Sequence, residues 1–160
     1  MPVYLETACV TEVAREAVAQ MSRLAEQKRV GLRCAGEDVV AEVDRGLFER
    51  VIKNLLSNAI KACEAGDGIE VRVLEAEGRA RVEVEDTGRG IDAEYLEKIF
   101  EKFTQSGKGI DGGVSASSGV GLAFCKLAVQ EHGGEIGVRS EPGKGSVFWL
   151  EIPTGSGARA

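Results

Sequence analysis

The stretch from Asp44 to Glu64 limits the folds open to this 160-residue chain more than any other. Laid on a helix at about 100° per residue, Val51, Ile52, Leu55, Leu56, Ala59 and Ile60 fill half the circumference, so that side must be buried. Asn54, Asn58 and Lys61 gather on the opposite side. Asp44 suits an N-cap, and Ala65-Gly66 provides the stop. Two amides and an ammonium can be an ordinary solvated stripe. Asn is a mediocre helix former, however, and two of them in mid-helix invite a reason. An amide oxygen is a hard, neutral metal ligand, and a lysine one turn away can reach phosphate.

Other periodicities supply partners for the apolar side. Residues 10–28 repeat Val10, Val13, Ala14, Ala17, Val18, Met21 and Leu24 at helical spacing, with Thr11 as candidate cap. The segments "VGLRC" and "DVVAEV", joined through Gly36, read as a hairpin or two adjacent strands. Residues 69–88 form two alternating strands around a turn near Glu77-Gly78, with Ile69, Val71, Val73, Val82 and Val84 on one face. A short helix is expected over 92–103, a glycine-rich loop over 104–118 and a helix over about 119–132. Strands "EIGVRS" and "GSVFWLEIP" follow around Pro142-Gly143, and residues 153–160 read as a frayed tail. This order predicts an α/β two-layer sandwich, with three main helices on one face of a mostly antiparallel sheet.

Composition narrows the function classes. Apolar residues at 43% and charged residues at 29% describe an ordinary globular domain, and 160 residues suffice for one core. A net charge of −6 does not favour a nucleic-acid footprint. No run approaches the roughly 20 apolar residues of a membrane span, and the start "MPVYLETACV" lacks a basic leader. We therefore expect no nucleic-acid partner and no direct membrane contact. Cys9, Cys34, Cys63 and Cys125 form no CxxC pair, and His132 is the only histidine. Small buried thiols in a reducing compartment are expected, rather than a zinc site.

Two further motifs join the Asn stripe. "VEDTGRG" sets Asp86, Gly88 and Gly90 directly after a strand. It can be a simple Asx turn, or a carboxylate that accepts an exocyclic amine beside a backbone open to a flat base. In "SSGVGLAFCKLA", Gly119 and Gly121 stand where a loop enters a helix, and unpaired N–H groups at such a terminus form an anion site. No G-K-[ST] closes it as a Walker A loop, and the 86–90 stretch lacks Rossmann spacing.

The order of these motifs, with "IFEKF" and "HGGEIGVRSEPGKGSVFWLEIP", resembles the catalytic ATP-binding domain of bacterial sensor histidine kinases. That domain belongs to the gyrase, Hsp90, histidine kinase and MutL superfamily, whose fold is the Bergerat type. The resemblance covers roughly residues 3–152, so 1–152 is taken as one domain. It implies ATP and Mg²⁺ as cofactors. Asn58 matches the Mg²⁺-coordinating amide, while Asn54 and Lys61 would address the metal shell and phosphates. Asp86 would accept the adenine amino proton beside Gly88, Gly90 and Ile91. Phe100 and Phe103 would frame an ATP lid over about 104–118, and Gly119, Val120, Gly121 and Leu122 would receive the triphosphate. Gln105 stands where relatives often carry a basic residue, leaving Lys102 or Lys108 for that contact, with Lys108 taken as nucleotide-binding. Ser117 replaces a usual glycine.

The resemblance further implies γ-phosphoryl transfer to a histidine on a separate dimerisation domain, and a response regulator downstream. It implies a cytoplasmic domain whose parent kinase can be membrane-anchored. His132, in its "HGGEI" context, reads as packing or capping rather than as the acceptor. Hydrolytic or serine-phosphorylating relatives place a glutamate general base where this chain has Asn54, and an amide cannot deprotonate water. A non-catalytic nucleotide-binding module is the third alternative.

Overall fold

The computed structural model describes residues 2–96, 98–101 and 115–155, with side chains for all of these except 115–120. The elements are β1 (Glu6–Cys9), α1 (Val10–Gln27), β2 (Gly31–Gly36), β3 (Val40–Val43), α2 (Arg45–Ala62), β4 (Gly68–Ala76) and β5 (Arg79–Asp86). They continue with α3 (Ala93–Leu96), α4 (Ser115–Glu131), β6 (Glu135–Glu141) and β7 (Gly145–Pro153). The main sheet has the order β2-β4-β5-β7-β6; β2 and β4 are parallel and the other neighbours antiparallel. Helices α1, α2 and α4 cover one face, giving the expected α/β sandwich with a mixed sheet.

Alternation decides which face is covered. Ile69, Val71, Val73, Val82, Val84, Leu150 and Ile152 turn inward against Val51, Ile52, Leu55 and Leu56 of α2, all nearly inaccessible. The opposite face carries charge: Arg72 reaches Glu70, Glu83 and Glu85, and Arg81 joins Glu83 to Glu151. The β4–β5 hairpin turns at Glu77-Gly78, both with positive φ (54° and 75°), which suits a two-residue turn of primed type.

Several expectations need correction. The alternating segments around Gly36 form no hairpin: β2 pairs with β4, whereas β3 pairs with β1 in a separate two-stranded sheet. At Gly36 φ is +127° and a Cβ would stand 2.2 Å from Val73 O, so the chain turns off the main sheet there. Thr11 does not cap α1. Its hydroxyl donates to Glu37 O at 2.7 Å and accepts from Val39 N at 3.1 Å, holding the segment that enters β3. Asp44 does cap α2, accepting from Leu47 N at 3.1 Å.

Of the helix expected over 92–103, the described residues form one turn, Ala93–Leu96, and then tight i→i+3 bonds (Lys98 N to Tyr95 O, Glu101 N to Lys98 O); Ile99 is buried and Phe100 lies edge-on to Phe148. Helix α4 begins at Ser115, earlier than the expected 119. Of the expected tail, Pro153 closes β7 and Thr154 is buried, its N–H donating to Gly78 O at 2.9 Å. Cys63 and Cys125 are buried as expected, but Cys9 and Cys34 are only half-buried.

Candidate functional site

Asp86 ends β5 opposite Ser146 of β7, which carries its carboxyl to the C-terminal end of α2. Only 3% of it is exposed. Burial pushes its pKa up to about 6, against the pull of backbone N–H groups from Gly88 and Ser146. Oδ1 accepts from Gly88 N at 2.8 Å, the Asx turn read from the sequence. Ionised, the same carboxyl accepts from a ligand with both oxygens; protonated, it keeps a weaker carbonyl acceptor and gains an O–H donor.

The loop after Asp86 is set into its surroundings by missing side chains. A Cβ on Gly88 would lie 2.4 Å from Ala62 O, and one on Gly90, whose φ is +77°, 2.2 Å from Glu141 O. The loop thereby closes the end of α2: Arg89 N donates to Ala62 O at 3.1 Å. On its far side, Ile91 N donates to Ser140 Oγ at 2.8 Å and Gly143 N to Arg89 O at 2.8 Å. Ala62, Ser140 and Ser146 were not singled out from sequence, because ordinary residues acquire these roles only through packing.

Asn54, Asn58 and Lys61 share one half-buried side of α2, running from its middle to the Asp86 end. Asn54 faces α4: a Cβ on Gly121 would lie 3.6 Å from Asn54 Cγ. Beneath it, the buried Cys125 thiol donates to Val51 O at 3.6 Å and contacts the Asn54 amide, and burial raises its pKa to about 12. Leu122 is buried and Ile91 half-buried against the core. Gly119 and Val120 lie within α4, so with Gly121 they follow its first turn instead of forming it. Phe103, Lys108 and residues 104–114 of the expected lid lie outside the described residues, as do Lys102 and Gln105.

Two other groups bear on the chemistry. His132 is 8% exposed, and both ring nitrogens are engaged: Asp44 N donates to Nε2 at 3.0 Å, and Nδ1, which then carries the proton, donates to Ala128 O at 2.8 Å. It ties the end of α4 to the start of α2. Glu49, the carboxylate of α2 preceding Asn54, turns away to Gln20 of α1 and to Lys53 at 3.9 Å. Among the described residues no group of three or more His, Cys, Asp or Glu could hold a metal ion. A cation here would need amide, phosphate and water oxygens, the donor set that suits Mg²⁺, and the Asn54–Asn58 side of α2 fits that role.

Comparison with known proteins bears on the family and the fold. Residues 43–156 match the family described as histidine kinase-, DNA gyrase B-, and HSP90-like ATPase. The alginate biosynthesis sensor protein KinB of Pseudomonas aeruginosa is 38% identical over 130 residues, 80% of this chain and 21% of that protein. Sensor protein KdpD of Clostridium acetobutylicum is 34% identical over 144 residues, 90% of this chain and 16% of that protein. The chain therefore spans about a fifth of the length of these curated relatives. The nucleotide-free catalytic domain of histidine kinase ThkA superposes with a TM-score of 0.82 at 28% identity, over 94% of this chain and 96% of that one. Full-length ShkA, crystallised with AMPPNP, gives 0.84 at 30% identity, over 96% of this chain and 32% of that one. No helix among the described residues is long and apolar enough to cross a membrane. The chain belongs to the histidine kinase-, DNA gyrase B- and HSP90-like ATPase family, and it has the fold of histidine kinase catalytic domains.

Proposed function

We propose that this domain binds ATP with Mg²⁺ between α2, α4 and the 86–91 loop, and donates the γ-phosphoryl group to a histidine on a separate dimerisation domain. The observation that carries this reading is the buried Asp86 carboxyl at one end of a polar helix side that offers amides and a lysine but no carboxylate. Asp86 accepts the adenine amino group, and Gly88 and Gly90 leave room for the base. Asn58 offers its amide oxygen to the cation, Asn54 orients the phosphates from the α4 side, and Lys61 adds positive charge. Gly119 to Leu122 approach the triphosphate along α4. A lid formed by the residues before α4, with Phe103 and Lys108, closes over it. The bound Mg²⁺ offsets phosphate charge, and the chain's own part is to hold the nucleotide in line with an incoming imidazole.

Hydrolysis is the weaker reading, because Glu49 is engaged with α1 and Asn54 cannot take a proton from water. His132 is not the acceptor, since both nitrogens are occupied within the fold. A response regulator would take the phosphoryl group next; the structure of ThkA with response regulator TrrA supports that partner class. The domain would work in the cytoplasm within a longer kinase.

The test supplies a histidine-bearing dimerisation domain in trans with γ-labelled ATP. Label should pass to that domain, and Asn58→Ala should abolish transfer with an unchanged circular dichroism spectrum. The chain alone should neither label His132 nor turn over ATP beyond a trace. Stoichiometric label on His132, or steady hydrolysis lost in Asn54→Ala, would overturn the assignment.

A further inference from the structure

One cation on the polar side of α2 has no part in the site as described. Arg50 lies one turn before Asn54, so Arg50, Asn54, Asn58 and Lys61 fall within one strip of the helix. Its guanidinium lies over the Phe124 ring of α4, 4.1 Å from the centroid. Phe124 stands one turn after Gly121, on the side of α4 that meets α2 through Asn54 and Val51. Among the described residues no carboxylate forms an ion pair with Arg50, and adjacent Glu49 is committed to Gln20 and Lys53. In a chain of net charge −6, an unpaired arginine clamped at the edge of an anion site is an unusual arrangement.

We propose that Arg50, held over the Phe124 ring, is the contact for the terminal phosphate of the bound nucleotide; this rests on the nucleotide reading of the site. The polar strip gives direction and length. Gly88, beside Asp86, packs on the carbonyl of Ala62. From there to Arg50 the helix rises roughly 18 Å, comparable to an extended nucleoside triphosphate. With the base at the Asp86 end, the phosphates run past Asn58 and Asn54 and the last one arrives at Arg50. Stacking on a ring uses the guanidinium face and leaves its edge N–H groups for oxyanions, the geometry of bidentate phosphate recognition. The ring also fixes a long side chain that would otherwise lose rotamer freedom on binding. Arg50 thus supplies, from α2, a cation at the transferring group that does not depend on the lid.

The experiment is calorimetric titration of the 160-residue chain with Mg²⁺ and either ADP or a nonhydrolysable ATP analogue. Arg50→Gln should weaken the triphosphate roughly tenfold to a hundredfold, the scale of a charge-assisted hydrogen bond, and leave ADP unchanged. Arg50→Lys should recover part of that loss. Phe124→Leu should give a smaller loss with the same ATP-only signature, and thermal unfolding checks that each variant is folded. Equal losses for ADP and ATP, or no loss for either, would overturn the proposal while sparing the nucleotide site. A wild type that binds neither nucleotide would sink the site itself, and Asp86→Asn, expected to weaken both, separates the two failures.

Discussion

At the Asp86 end of the site, a Cβ on Gly88 would meet Ala62 O at 2.4 Å and one on Gly90 would meet Glu141 O at 2.2 Å. At the Asn54 end, a Cβ on Gly121 would rest 3.6 Å from Asn54 Cγ, an ordinary contact, at a helical backbone conformation. The first pair of glycines is demanded by the fold, since the obstructing atoms are backbone and cannot swing aside. Gly121 is not. A glycine inside a helix costs about 1 kcal/mol relative to alanine, and packing against α2 does not explain it. One end of the site is therefore built by the fold alone, whereas the other keeps a feature that only a ligand or a change of shape would require.

The largest effect should come from breaking the built end. Gly88→Ala places a methyl group inside the Ala62 carbonyl and 3.0 Å from Asp86 Oδ1, so the loop must lift from the end of α2. A loss of about 2–4 kcal/mol is expected, the range of overpacked backbone contacts. Urea unfolding with an unchanged m-value measures it. A variant as stable as the wild type would mean that the loop moves freely, and the steric contrast between the two ends would be lost.

Next comes the charge at that end. Asp86 is raised from 3.8 to about 6, so ionisation works against the folded state. Stability that Asp86 contributes while protonated, below about 4, is lost as pH rises through about 6, a change of roughly 3 kcal/mol if no other group compensates. Asp86→Asn should therefore gain stability relative to wild type over that interval and then level off. Adenine binding has the opposite sign, since an ionised carboxylate accepts more strongly than the protonated acid. ATP affinity of the wild type should fall as pH drops below about 6, while the weaker binding of Asp86→Asn stays flat. Parallel pH profiles for the two proteins would remove Asp86 from the base contact.

How much of this was legible in the sequence follows the same division. Period-2 alternation gave β4 and β5 their shared apolar face through Val71, Val73, Val82 and Val84, because burial on one side enforces it. The same alternation could not say that β2 and β3 belong to different sheets, since pairing partners leave no mark on periodicity. Thr11 looked like a cap, yet it spends its hydroxyl on Glu37 and Val39, residues brought near only by the tertiary fold. Within the site, Asn54, Asn58, Asp86 and Gly88 were visible because their spacing is local. Arg50 was not singled out, for only the fold brings Phe124 against it. The aromatic clamp and the Cys125 thiol under Asn54 both depend on α4 crossing α2, which no local pattern encodes.

The smallest effect on stability should be the sharpest test. Gly121→Ala adds a methyl group with 3.6–4.0 Å of clearance from Asn54, so no atom has to move. Helix propensity alone should then raise stability by roughly 0.5–1 kcal/mol, a sign opposite to that of Gly88→Ala. The added methyl nevertheless stands beside the Asn54 amide, where the proposed path of the phosphates runs between the two helices. ATP affinity should therefore fall although the protein is more stable. AMP, whose contacts lie nearer Asp86, should bind as before. Urea unfolding and titration with both nucleotides give the three readings on one variant. A loss of stability would mean that the seam is too tight for any side chain, and the glycine would be structural after all. Gained stability with undiminished ATP affinity would show instead that the phosphates keep clear of Gly121, and their path along α4 would have to be redrawn.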